Sequence, residues 1–398
     1  MHIGIISPIT LAEFDDFLDA TDRHESKKIV GMKAPAVDAV AKRFLEKGHT
    51  VSIYTLDPSV KQTKVLCGKN LTIFIGPYRK SALRRVVDLF HAEIQALRRM
   101  VASSSERPDV LHAHWTYEFA QGGCGHHIPL VVTVRDWAPR ILRLYPNFYR
   151  LVRFFMDRSI FKRLDIHFVA NSPYIAGKIE NRWKRQVPVI PNPVDDQFLL
   201  QQGKRLEPEN RTLITISNAI GKGKNLHALL MAFQLVRRKF PTSELWMVGS
   251  PFTPECRPCQ SFAREGLLDG VRLCGKIDHH ELPLYLDQGS LLIHPSIEES
   301  FGNTLIEAMA RRVPVIGGKS AGAVPFLLDY GKAGSLCDVT SPVEMAKAVT
   351  VLWENEDEWK RLSVAGFNRV KDCFSVEAVA EATLELYRQV MHDEKIIP

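Results

Sequence analysis

Short apolar runs separated by amphipathic stretches dominate the chain. Runs at residues 3–6, 51–56, 71–75, 110–114, 130–134 and 167–170 are rich in Ile, Val and Leu and carry no Asp, Glu, Lys or Arg, the pattern of strands buried on both faces. Between several of them, residues 36–46, 82–101 and 149–161 place apolar side chains at helical spacing. The alternation restarts after Asn192, with apolar runs at 213–217, 245–249, 271–275, 291–295, 313–317 and 335–337, and closes with helical patterns at 342–353, 356–370 and 376–391. Strands alternating with helices predict an α/β chain with parallel, doubly wound sheets. At 398 residues the chain exceeds the roughly 250–300 residues at which single cores stop growing, so two domains are expected. Ligands in such sheets bind at the carboxyl ends of the strands.

The densest chemistry lies in residues 294–318, HPSIEESFGNTLIEAMARRVPVIGG. Pro295 and Ser296 end a buried strand, and Ser300, Phe301 and Gly302 form a turn carrying Glu299. Leu305, Ile306, Met309 and Ala310 supply the apolar face of a helix for which Asn303 is the expected N-cap. A glycine turn entering a helix is an anion site, because unpaired N–H groups and the positive end of the helix dipole converge there. Glu299 and Glu307, eight residues apart, are unsuited to phosphate but suited to hydroxyls, as on a ribose or hexose. Together they point to a sugar nucleotide.

This segment resembles the E-x7-E signature of the retaining glycosyltransferases of family 4. Residues 189–195 (VIPNPVD) are similar to that family's interdomain segment, with Pro193 in place of a glycine. Residues 216–233 (ISNAIGKGKNLHALLMAF), 271–277 (VRLCGKI) and 47–51 (KGHTV) are similar to further family motifs. The resemblance implies the GT-B fold: two facing Rossmann-like domains, an acceptor-binding domain at 1–190 and a donor-binding domain at 191–374, with the 375–398 helix returning to the first. It further implies that Lys224 contacts the donor diphosphate, that backbone N–H groups of Gly302, Asn303 and Thr304 cover the phosphates, and that Glu307 holds the ribose and Glu299 the transferred sugar. The expected catalytic pair is Glu299 and Lys224. An arginine expected five residues before Lys224 is Ala219, leaving the cationic clamp incomplete unless Lys222 replaces it, and the usual glycine-rich loop reads Gly249-Ser250-Pro251. In the first domain, Gly31, His114, Arg135 and Asp136 are the expected acceptor or cleft residues. His112 and His114 end a strand and read equally as cleft or core groups. Arg135 stands where the family has a histidine; an arginine is no base at neutral pH but attracts an anionic acceptor or the leaving phosphate.

Charge sharpens this division. The total is +7, but residues 1–190 hold 29 Lys and Arg against 18 Asp and Glu, whereas the rest hold 23 against 27. The 135–163 stretch interleaves its basic residues with Trp137, Tyr145, Phe148, Tyr149, Phe154, Phe155 and Phe161. That pattern fits an anionic membrane surface, an anionic acceptor, or an ordinary packed helix with a solvated basic face; no nucleic-acid signature accompanies it. No apolar stretch reaches the roughly 18 residues of a membrane span, and the first residues read as a strand, so a cytoplasmic protein is expected, with peripheral membrane contact as an option. Seven scattered cysteines argue against a disulfide framework, and the lone Cys256-x-x-Cys259 reads as two thiols in a surface loop. No acid pair suited to a donor-site metal is present, so no metal and no cofactor beyond the UDP- or GDP-sugar substrate are expected. Two functions follow: a retaining transferase moving a hexose to a glycan or glycolipid, or a catalytically silent homologue that binds a sugar nucleotide or glycan, motivated by Ala219 and Arg135.

Overall fold

In the computed structural model, which describes residues 1–200 and 211–396, thirteen strands form two sheets. The chain divides into one unit of Met1–Pro193 with Val376–Pro398 and a second of Val194–Ser375. In the first unit, β1 (His2–Ile6), β2 (Thr50–Asp57), β3 (Lys64–Gly68), β4 (Leu71–Pro77), β5 (Val110–His114), β6 (Leu130–Val134) and β7 (Ile166–Ala170) lie in the order β3-β4-β2-β1-β5-β6-β7. All neighbours are parallel except β3, which runs antiparallel to β4 along the edge. The sequence pattern predicts six parallel strands and misses β3, because an edge strand buries little: of KVLCG only Leu66 is buried. The second unit carries β8 (Thr212–Ile216), β9 (Glu244–Val248), β10 (Val271–Gly275), β11 (Leu291–His294), β12 (Val315–Gly318) and β13 (Ser335–Cys337), all parallel, in the order β10-β9-β8-β11-β12-β13.

In both sheets the order in which strands are added switches side once. The order turns between β1 and β5 in the first and between β8 and β11 in the second. In doubly wound sheets, the crevice beyond the carboxyl ends of two such strands is where ligands sit, because the following loops leave in opposite directions and open a gap.

The helix expected over 82–101 is two helices, Ala82–Val87 and His91–Ala102. Leu89 and Phe90 between them have φ of +54° and +61°. The break lets Phe90 bury completely, and Arg79 holds it by pairing with Asp88 at 2.7 Å and Glu93 at 2.5 Å. The last helix, Val376–Ile396, belongs to the first unit. Its Tyr387 packs on Phe44 of helix Pro35–Glu46 at 5.9 Å between ring centroids and bonds His112 at 2.6 Å. The cysteine pair is no surface loop: Cys256 precedes helix Arg257–Arg264, and Cys259 is 1% exposed in the core, where burial pushes its thiol up to about 11.

Candidate functional site

The second sheet's crevice gathers most of the residues singled out in its sequence. The loop after β8 ends in a single 3-10 turn, Lys222–Lys224, and the loop after β11 carries Glu299. A backbone bond from Ile297 to Gly223, 3.0 Å long, ties the two loops together. Lys224 Nζ lies 3.0 Å from Glu299 Oε2, and His294 Nε2 lies 3.2 Å from the same oxygen. Burial alone raises the pKa of Glu299, but the bond from His294 and the charge of Lys224 outweigh it and hold the carboxyl at about 2. Glu299 is therefore an anion throughout the physiological range, fixed by two donors and able to accept further hydroxyl hydrogens. Lys222 is exposed and has no carboxylate partner among the described residues, whereas Ala219 is exposed and offers no charge.

Two glycines shape the crevice. Gly302, at φ +111°, and not Asn303, precedes helix Asn303–Ala310; Asn303 is its exposed first residue. The correction has a steric reason. A Cβ on Gly302 would approach Leu305 Cδ1 to 2.8 Å and Glu299 Cγ to 3.3 Å, so the helix start fits against Glu299 only without a side chain. Gly322, at φ +60°, is not flagged by the sequence motifs; a Cβ there would lie 2.2 Å from the Glu299 carbonyl oxygen, while Ala323 N–H donates to that oxygen at 2.9 Å. The glycine after β12 is thus what lets the chain cradle Glu299 from behind.

Glu307, one turn into the helix, is buried and takes a different partner: His279 Nε2 lies 3.0 Å from its Oε1, and Gln197 Nε2 lies 3.3 Å from His279 Nδ1. Neither His279 nor His294 stands out by spacing; only His294, inside the 294–318 run, was within reach of sequence reasoning. Four residues downstream of Glu307, Arg311 is fully buried and bonds Asp287 through Nε at 2.8 Å, tying the helix into the domain.

In the first unit the expected residues separate into two places. His112 and His114, both buried, cluster with the half-buried Arg135. His112 uses both ring nitrogens, on Tyr387 and on Thr133 Oγ1 at 2.6 Å each, and burial drops its pKa to about 3. It is a core residue. Burial likewise holds His114 well below the usual histidine range, leaving a neutral ring that accepts from Arg135 at 3.1 Å. Arg135 also donates to Asn192 at 2.5 Å, and burial pushes it down to about 10, still cationic at neutral pH. Asp136 turns away from this cluster: it accepts from Tyr117 at 2.8 Å and lines a separate pocket of about 380 Å³ with Met32, Lys33, Trp115, Tyr117 and Arg150. Gly31, at φ +78°, donates to Asp57 at 2.9 Å and leads into Met32 and Lys33. This pocket is bounded by the segments following β1 and β5, so it sits at the first sheet's own switch point. Among the described residues, no group of three or more His, Cys, Asp or Glu is placed to hold a metal ion.

Two doubly wound domains of this kind make the GT-B fold. Sucrose-phosphate synthase of Thermosynechococcus elongatus superposes with a TM-score of 0.72 at 18% identity, covering 99% of this chain and 100% of that one. Trehalose-6-phosphate synthase of E. coli, solved with UDP-2-fluoro glucose, gives 0.70 at 10% identity over 98% and 99%. The family model for glycosyl transferases group 1 matches residues 198–369, and that for glycosyltransferase family 4 matches 36–198. The chain belongs to the family 4, group 1 glycosyltransferases. Among its relatives, N-acetyl-alpha-D-glucosaminyl L-malate synthase of Bacillus anthracis is 25% identical over 73% of this chain and 77% of its own length. The lipopolysaccharide core biosynthesis glycosyltransferase LpsE of Rhizobium meliloti is 26% identical over 63% and 74%.

Proposed function

We propose that this glycosyltransferase is a retaining enzyme that transfers a hexose from a UDP- or GDP-sugar to a glycan or glycolipid acceptor in cell-surface glycan assembly. The observation that carries the reading is the Lys224–Glu299 pair at the second sheet's switch point. A glycosyl nucleotide departs as its diphosphate gains charge, so a cation fixed beside the leaving group stabilises the transition state more than the ground state. Lys224, held by Glu299, supplies that cation, with Lys222 adjacent to it. Glu299 accepts hydroxyls of the transferred sugar and Glu307, steadied by His279, those of the ribose. The N–H groups at 302–304 cover the phosphates. No side chain is assigned as a nucleophile; the leaving phosphate takes the acceptor's proton on the face from which it departs, consistent with retention. Incubating the chain with UDP- and GDP-sugars and a glycan acceptor pool tests this directly: one nucleotide class is expected to be released at a rate well above buffer. Binding of a sugar nucleotide without any release would instead favour the silent homologue.

The reading includes contact with an anionic membrane. Helices Ala82–Val87 and Phe148–Phe161 pack together and leave Leu83, Val87, Phe148 and Phe155 between 57% and 71% exposed, beside the exposed Lys80, Arg84 and Arg158. Two aromatics of the basic stretch do not reach this surface: Trp137 and Phe161 are buried in the core. No helix among the described residues is long and apolar enough to cross a membrane, so any attachment of this surface is peripheral. Flotation with vesicles rich in anionic lipid is expected to recover the protein at low salt and lose it at high salt. Equal flotation with neutral vesicles, or none at low salt, would remove the membrane from the account.

A further inference from the structure

The pocket at the first sheet's switch point is cationic in a specific way. Its walls are aromatic, with Tyr78, Trp115, Tyr117 and Tyr149 among the lining residues, and about 380 Å³ falls within the roughly 300–1,000 Å³ usual for small-molecule sites. Trp115 holds φ of +66°, a conformation that costs a non-glycine residue energy and places it at the pocket rim directly after β5. Three cations, Lys33, Arg150 and Arg153, face two carboxylates, Glu118 and Asp136.

Both carboxylates are already engaged. Arg153 pairs with Glu118, which is almost fully buried, donates to Tyr149 Oη at 3.1 Å and lies over the Tyr117 ring at 4.1 Å. Asp136 accepts the Tyr117 hydroxyl at 2.8 Å; it feels the charge of Arg150 without bonding to it. Arg150 is left over. Its guanidinium lies 5.1 Å from the Tyr145 ring centroid, it forms no ion pair among the described residues, and its Nε is closed off from solvent with no hydrogen-bond partner. That leaves the terminal N–H groups to any ligand, and an arginine fork lacking a carboxylate matches a planar or tetrahedral oxyanion. Lys33, exposed at the rim, likewise has no ion-pair partner among the described residues.

We propose that this pocket holds the acceptor and that the acceptor is an acidic saccharide. Its carboxylate or phosphate rests on Arg150, with Lys33 adding long-range attraction, and its ring lies against the aromatic wall, where C–H groups meet the electron-rich faces. The proposal rests on the transferase reading, and it adds the acceptor's charge and the residue that reads it.

The test uses the full chain and ligand-observed NMR with four probes: glucose, glucuronate, glucose 6-phosphate and glycerol 3-phosphate, each run beside UDP and GDP. An acidic sugar is expected to bind at least ~10-fold more tightly than glucose, the scale of one charge-assisted bond. Arg150→Ala removes most of that advantage, and Arg150→Lys keeps part of it. The glucuronate and phosphate arms separate the two acids, and glycerol 3-phosphate shows whether the ring is needed. Nucleotide binding should be the same in wild type and both variants. Equal affinity for glucose and its acidic counterparts, or an acidic preference that survives Arg150→Ala, would overturn the proposal. Absence of nucleotide binding in every protein would overturn the transferase reading separately, whatever the acidic probes do.

Discussion

Replacing Lys224 with alanine is expected to cut transfer by about 10²–10³-fold, the usual loss when one donor to a developing charge is removed. The effect should fall on kcat more than on KM, because the cation matters most as the diphosphate leaves. A second readout identifies the residue's partner. Glu299 sits 3.0 Å from Lys224, and with His294 and Lys224 overcoming burial its carboxyl titrates near 2 in place of its ordinary 4.5. A carboxyl depressed on folding adds stability above its unfolded pKa, and that contribution fades as pH falls through the folded value. Wild-type stability should therefore drop between pH 4.5 and about 2. In Lys224→Ala the drop is shallower, since burial then pulls the carboxyl back up. Thermal melts across that window, together with steady-state kinetics, check both outcomes. A variant with full activity, or an unchanged acid limb, would remove Lys224 from its assigned place.

Glu307→Ala is expected to weaken donor binding by about 100-fold while lowering stability by no more than ~2 kcal/mol. Two charge-assisted bonds to ribose hydroxyls are worth roughly 3 kcal/mol or more together, which corresponds to that change in affinity. The stability cost is small because alanine is the better helix former and the lost partner, His279, retains Gln197 at 3.3 Å on its other nitrogen. Calorimetric titration with the preferred nucleotide and a melting curve separate the two quantities. Losses of equal free energy in binding and folding would make Glu307 a structural residue.

The parts of this molecule that announce themselves in the sequence are those where local pattern and tertiary role agree. Apolar runs become central parallel strands because both faces are covered, and the order of elements in the 294–318 run, though not its N-cap, is legible because strand, glycine turn and helix are neighbours in the chain. Failures occur where distant residues decide. Strand β3 gains its place by pairing with β4 and buries only Leu66. The helix break at Leu89 and Phe90 exists because Phe90 has a buried site and Arg79 clamps both sides. Arg135 and Asp136 are adjacent in sequence yet lie in different surroundings, since successive backbone positions leaving a strand point opposite ways. His279 reaches Glu307 across 28 residues, and Gly322 reaches Glu299 across a whole strand. Arg150 was hidden in plain composition. Within a basic aromatic stretch every arginine looks solvated, and only the fold shows that Arg153 is spent on Glu118 while Arg150 is not.

The most direct test of the central claim is nucleotide release from a panel of UDP- and GDP-sugars in the presence of neutral and acidic acceptors, with the product's anomeric configuration read by NMR. The account predicts release from one nucleotide class, loss of that release in Lys224→Ala, and a product that keeps the donor's configuration. A folded protein that turns over no donor, or a product of inverted configuration, would contradict it.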